Sequence, residues 1–314
     1  MNKKFKILFL GVIASLLFGV TSCSSDDDQS SSIPLSADIF YSIDGKQVAF
    51  QAITNSASSW AWNFGDGNTS TDKNPVYKYA EGGFYKATLV ATDGNGSSIT
   101  KEVEIAVDVT PYVLLTGGAT ATNGKTWKLA SGHSANDYFA NADADLSPLS
   151  GTPNPLPSGV FGQLGMGEVY EDEFTFYFDG NYSHDVKSDN ATFSGYVYQY
   201  VTTGGTGIVN DGGKDYGLCT GLYTPETSAT FSYVANENFE IASVYGANGK
   251  LTYENVSTLD FSGTEFIGIK DFESKVIIQD ITSKSMRLVM FLGASDTYIG
   301  VATNALVLTF EVVE

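Results

Sequence analysis

From Pro34 onward, hydrophobic and polar positions alternate in short runs, and Gly, Asn and Asp cut the runs every few residues. Alternation at period two places successive side chains on opposite faces of a pleated strand, so each run predicts a strand with one buried face. In the first stretch these runs are residues 37–41, 48–52, 60–64, 85–92 and 99–107. Asp44-Gly45 and Asp93-Gly94-Asn95-Gly96 lie between them as turn signals. Short strands at this spacing in a stretch of residues 34–108 predict a small β-sandwich.

Pro111 marks a boundary, and a second set of runs follows over residues 112–314. Strands are expected at residues 173–178, 191–201, 228–233, 258–261, 275–281, 286–292 and 305–313. In the first of these, Phe174, Phe176 and Phe178 alternate with Thr175 and Tyr177. Long stretches at period 3.6 are absent, so the whole chain reads as all-β, with a larger jelly-roll-like β-sandwich after the first one. Trp127 shares its parity with Leu129 in the opening strand, which favours a core position over a ligand contact.

The stretch Trp62-Asn63-Phe64-Gly65-Asp66-Gly67 resembles the Trp-Asp-Phe-Gly-Asp-Gly signature of PKD domains, which are immunoglobulin-like sandwiches. Asn74-Pro75-Val76-Tyr77-Lys78-Tyr79, Gly83-Phe84-Tyr85 and Leu89-Val90-Ala91-Thr92-Asp93 support the resemblance. Asn63 stands where the family has aspartate, and either side chain can bond the backbone of a tight turn. The motif also has a purely structural reading, with Trp62 and Phe64 in the core and the glycines supplying turn freedom. The resemblance implies a spacer that lifts another domain away from a surface.

The beginning of the chain has a different pattern. Lys3, Lys4 and Lys6 precede the apolar run 7–20, then Thr21-Ser22 and Cys23, so residues 1–22 read as a signal peptide. Gly19-Val20-Thr21-Ser22-Cys23 resembles a lipobox, which implies acylation of Cys23. The polar, acidic stretch 23–33, with Asp26, Asp27 and Asp28, predicts an extended tether. It also resembles the export signal of Bacteroidota lipoproteins, which implies a lipid-anchored protein on the outer membrane facing the cell exterior.

Charge narrows the partners. The chain has 36 acidic and 17 basic residues, and the signal peptide removes three lysines and no acid. Phosphate binding depends on Lys and Arg, so nucleic acid is excluded, and membrane attachment rests on the lipid anchor alone. Besides Cys23 the chain has only Cys219, so no disulfide forms within it.

Gly124-Lys125-Thr126-Trp127-Lys128-Leu129, Tyr170-Glu171-Asp172-Glu173-Phe174-Thr175-Phe176 with Gly180-Asn181-Tyr182, and Ile278-Gln279-Asp280-Ile281-Thr282 with Met286-Arg287-Leu288 resemble a β-sandwich of surface glycan-binding lipoproteins in polysaccharide utilisation systems. The resemblance implies a non-catalytic protein that hands polysaccharide or oligosaccharide to an outer-membrane glycan importer complex. Sugar rings stack on aromatic faces, and long loops are where such faces gather. The strand-poor segment 131–169 offers Tyr138, Phe139 and Phe161, while residues 209–224 offer Tyr216 and Tyr223 beside Asp211 and Asp215. Tyr245 and Tyr298 are further loop candidates. Each aromatic has an equally ordinary reading as the residue that pins its loop to the sandwich.

No organic cofactor is expected. Asp137, Asp143 and Asp145, with Asn141, could offer oxygens to a structural calcium ion, against the alternative of solvated loop charge. A hydrolase would need paired carboxylates, and Glu168 with Glu171-Asp172-Glu173 is the only dense acidic cluster beside a strand. A surface adhesin binding a protein partner is the second reading, and a jelly-roll glycoside hydrolase the third.

Overall fold

The computed structural model describes residues 33–144 and 155–313. Cys23, Asp26, Asp27, Asp28 and Asp145 lie outside the described residues. The first domain has seven strands: β1 (Ser36–Asp44), β2 (Gln47–Asn55), β3 (Ala57–Asn63), β4 (Thr69–Ser70), β5 (Val76–Lys78), β6 (Gly83–Asp93) and β7 (Ser98–Val107). They form two sheets, ordered β1-β2-β5 and β4-β3-β6-β7. The inward faces of both sheets meet in one core around Phe50, Trp62, Phe64, Tyr79 and Leu89. Trp60, of the same parity, is half-buried at the rim.

The turn after β3 follows from its residues. Asn63 Oδ1 accepts the Gly65 N–H at 2.8 Å, the bond expected of the residue that replaces aspartate. Gly65 has φ +87°, and a Cβ there would stand 2.7 Å from the Lys86 carbonyl oxygen. Only glycine meets both conditions. Tyr79 donates its hydroxyl to the Phe64 carbonyl at 2.8 Å and locks the turn onto the core.

Helix α1 (Pro111–Thr116) joins the domains, with Thr110 Oγ1 capping the Val113 N–H and proline at its start. Pro111 therefore begins a packed helix. Leu115 is buried and its carbonyl accepts the Trp127 indole N–H at 2.9 Å. Thr120 Oγ1 donates to the Phe84 carbonyl at 2.8 Å, tying the turn beyond α1 to β6.

The second domain contains β8 (Lys125–Leu129), β9 (Tyr138–Asn141), β10 (Glu173–Phe176), β11 (Asn181–Asp185), β12 (Ala191–Gly195), β13 (Ile208–Asn210), β14 (Leu218–Leu222), β15 (Ala229–Ala242), β16 (Lys250–Phe261), β17 (Val276–Ile281), β18 (Ser285–Leu292) and β19 (Asn304–Val312). Its main sheet runs β18-β17-β16-β15-β11-β10-β8-β19, and β19 pairs back onto β18. These strands follow one another in sequence order, so the larger sandwich closes on itself like an up-and-down barrel. Its interior is packed with Trp127, Phe174, Phe176, Leu288 and Phe310, all fully buried.

A second core lies on the other side of β17, β18 and β19, built from Ile277, Val289, Phe291 and Val307 against Tyr138, Ala140 and Phe239. Strands buried on both faces read as continuous apolar runs, as in Leu288-Val289-Met290-Phe291-Leu292. Two insertions interrupt the ring. One, after β8, carries β9 and helix α2 (Val160–Gln163); the other, after β11, carries the small sheet β12-β14-β13 and helix α3 (Tyr196–Thr203).

Candidate functional site

The expected strand over residues 191–201 ends at Gly195, and the next eight residues form α3. Tyr196, Tyr198 and Tyr200 alternate at period two, which favours a strand locally. The surroundings decide for a helix. Gly195 N–H donates to the Lys270 carbonyl and Tyr196 N–H to the Gly217 carbonyl, at 2.9 and 2.7 Å, fixing the entry to the helix. Gly204 then terminates it at φ +66°, the left-handed cap that glycine favours. A Cβ at Gly195 would stand 1.9 Å from Asp271 Oδ2, so glycine is needed where α3 meets the barrel.

The helical turn brings Tyr196 and Tyr200 onto one face, four residues apart. Their rings lie 6.4 Å apart and 19° from parallel. Tyr200 is 60% exposed, and a Cβ added at Gly205 would stand 3.3 Å from its ring, so a larger residue there would crowd it. Both tyrosines line two clefts, one on each side of the ridge they make. One cleft, of about 530 Å³, is bounded by Gly204, Thr206, Val209 and Asp211. The other, of about 570 Å³, is bounded by Val201, Lys214, Asp296 and Ile299.

The second cleft needs a neighbour from elsewhere in the chain. Gly217, at φ +75°, lets the turn that carries Lys214 and Tyr216 approach Ala294; a Cβ there would stand 2.6 Å from the Ala294 Cβ. This contact brings the loop after β18, with Asp296, Tyr298 and Ile299, beside α3. Lys214 Nζ lies 5.2 Å from the Tyr196 ring centroid, and hydrogen bonding with the Tyr196 side chain raises its pKa. Clefts of a few hundred Å³ with aromatic walls and a few polar groups are the form of small-molecule and sugar sites.

Of the residues expected to bind, Tyr216 is 56% exposed on the turn beside Lys214. Tyr298, at 54% exposed, lies on the loop opposite. Tyr245, at 44% exposed, sits on the turn after β15 and lines neither cleft. The others are held inside. Tyr138, 1% exposed, belongs to the second core through the β9–β19 pairing, and Phe161, 1% exposed, packs on Tyr170 and Phe193 in the barrel core. Phe139 is half-buried against the same core. Tyr223 is half-buried, with its hydroxyl donating to the Thr264 carbonyl at 3.1 Å and its ring 5.1 Å from Phe266. Closing the sheet buries Tyr138 and Phe161, while Phe139 and Tyr223 keep part of their surface.

Of the carboxylates expected to hold calcium, Asp137 and Asp143 lie among the described residues and differ in setting. Asp137 is fully buried and accepts bonds from Ser134 Oγ, Thr309 N–H and Thr309 Oγ1 at 2.5, 2.9 and 2.6 Å. His133 Nδ1 lies 3.1 Å from Asp137 Oδ2, and His133 Nε2 lies 2.9 Å from the Tyr170 hydroxyl. Against the cost of burial, these bonds hold the Asp137 carboxyl below its ordinary pKa. The carboxylate pins the insertion to β19, and its oxygens are committed to protein donors. Asp143 is exposed, and no cluster of three ligating side chains occurs among the described residues.

The acidic cluster beside β10 also disperses. Glu168 Oε1 accepts from Thr220, Asp172 is buried on Thr192, and Glu173 pairs with Lys187 at 2.9 Å. Burial pushes the Cys219 thiol up to about 12, so it stays protonated at neutral pH.

Tyr196, Tyr200, Lys214 and Ile299 went unnoticed in the sequence. A signal was present: Gly204-Gly205 directly after Thr202-Thr203 is a helix stop, and Tyr196 and Tyr200 have helical spacing.

Fold and surface together define a two-domain all-β protein whose exposed aromatic ridge projects from an insertion in a closed sheet. Residues 41–107 match the family model for the PKD domain. The chain is 39% identical over 129 residues to the pre-pro-metalloprotease PrtV of Vibrio cholerae, covering 41% of this chain and 12% of that protein. It is 40% identical over 53 residues to the collagenase ColA of Bacillus cereus, covering 17% of this chain and 6% of that protein. Among solved structures, a PKD domain from Vibrio cholerae PrtV is 33% identical, covering 24% of this chain and all of that one, with a TM-score of 0.24. Carbohydrate-binding modules from the β-sandwich superfamily are similar over 90% of this chain and 93% of that one, at 14% identity and a TM-score of 0.26.

Proposed function

We propose that this protein is a non-catalytic, cell-surface lipoprotein that captures polysaccharide on the Tyr196–Tyr200 ridge, with the PKD domain as its spacer. The observation that carries the reading is Tyr200, a large ring 60% exposed with a cleft on either side and a second tyrosine behind it. Sugar faces stack on such rings while carboxylates and hydroxyls accept and donate at the edges. Asp211 lines one cleft and Asp296 the other, an arrangement that supports binding over glycoside hydrolysis, where two carboxyl groups flank one bond. In this reading Cys23 carries the lipid, residues 24–33 are the tether, and an outer-membrane importer receives the glycan.

Affinity electrophoresis of the mature chain against a polysaccharide panel tests it. At least one polymer should retard the wild type, and Tyr200→Ala should weaken that retardation by about 0.5–1.5 kcal/mol, the worth of one stacked ring. The melting temperature should not move, because Tyr200 supports no core. Unchanged retardation in Tyr200→Ala would refute the placement.

A protein partner is the second reading, and one observation favours it. The outer face of β1-β2-β5 exposes Phe40, Ile53 and Val76, at 58%, 54% and 63%. A patch of this kind on a spacer suits docking to another protein.

A further inference from the structure

The charges around the ridge restrict the polymer it can take. Asp211 stands in one cleft and Asp296 in the other, while Asp215 adjoins Lys214; all three are exposed. Among the described residues lining the two clefts, Lys214 is the one cation; it is exposed and its Nζ lies 5.2 Å from the Tyr196 ring centroid. An anionic glycan would meet a carboxylate in each cleft, with Lys214 as the single opposing charge and Asp215 beside it. The chain's formal net charge of −19 adds a long-range field of the same sign.

The two clefts beside the ridge are open rather than enclosed. Tyr196 and Tyr200 line both clefts, so the clefts adjoin across the exposed Tyr200 ring. A polymer lying over that crest can place successive units on its two sides, whereas recognition of a chain end needs a closed pocket on one side.

We propose that the site takes an uncharged polysaccharide, bound along the interior of its chain across the Tyr196–Tyr200 ridge, and rejects glycans carrying carboxylate or sulfate. The inference rests on the glycan-binding reading given above and names its substrate class. The rejection comes from unpaired like charge, a repulsive element that sets specificity.

The test uses the mature chain in native gels containing neutral polysaccharides (starch, xyloglucan, galactomannan, xylan, β-glucans and mannans) or anionic ones (polygalacturonate, alginate, chondroitin sulfate), at low ionic strength. Retardation by a neutral polymer and by none of the anionic ones is expected. Calorimetry with oligosaccharides of the retarding polymer should then show a hexamer binding about two- to tenfold tighter than the single sugar, the gain from stacking on a second ring. Retardation by an anionic polymer as strong as by a neutral one overturns the proposal while leaving glycan binding intact. So does neutral retardation that survives Tyr196→Ala/Tyr200→Ala, or affinity independent of chain length. Failure of every polymer overturns the glycan-binding reading itself, and this inference with it.

Discussion

Asp172 is the place where a small change should reveal an electrostatic cost built into the barrel. Its side chain is 3% exposed and its Oδ2 accepts the Thr192 hydroxyl at 2.9 Å. Burial pushes the carboxyl from the ordinary 3.8 up to about 8, with Asp189 and Asp185 adding to the shift and the Thr192 bond opposing it. Because the folded-state pKa is raised, stability is greatest below 3.8 and falls as pH rises towards 8, since the unfolded chain releases the proton and the folded one retains it. Each pH unit in that window costs about 1.4 kcal/mol, which comes to about 4 kcal/mol by pH 7. Asp172→Asn keeps the shape and the acceptor for Thr192 but never ionises. Urea unfolding should therefore give equal stability for both chains near pH 4 and a growing advantage for Asp172→Asn up to neutral pH, to at most about 4 kcal/mol. A stability difference that stays constant across the range would refute the reasoning.

Phe161→Ala should destabilise the second domain by about 3–5 kcal/mol, read by thermal unfolding, because the ring is fully buried against Tyr170 and Phe193. A melting temperature unchanged from wild type would return Phe161 to the surface. Asp137→Ala should remove the bonds to Ser134 and Thr309 and loosen the insertion after β8, measured by faster proteolysis there. Since the Asp137 pKa is lowered, its stabilisation is present above 3.8 and lost as pH falls through the lower folded value, so the variant should unfold with less acid dependence than wild type. On the proposed lipoprotein reading, Cys23→Ala should release the protein from the membrane fraction, since its acidic composition gives no attraction to anionic lipid; sedimentation with membranes after a salt wash would contradict the anchor.

Much of the architecture is legible in local pattern. Trp62 and Phe64 alternate inward and Asn63 bonds Gly65 because turn and strand chemistry act over a few neighbouring residues. The same holds for Phe174 and Phe176, whose alternation with Thr175 already marks the buried face, and for Trp127 beside Leu129. The all-β class of both domains follows from these periods alone. What local pattern cannot decide is which loop aromatics remain outside. Tyr138 and Phe161 have the same sequence surroundings as ligand-binding rings, but the closing of the sheet and the pairing of β9 with β19 bury them. Tyr196 and Tyr200 form a helical ridge because Gly195 must fit beneath Asp271 and Gly217 must meet Ala294, contacts between segments about 75 residues apart. The spacing of four between Tyr196 and Tyr200 fits one face of a strand and of a helix alike, so the choice falls to long-range packing. The ridge is thus a product of tertiary structure, whereas the core beneath it was written in the alternation of the strands.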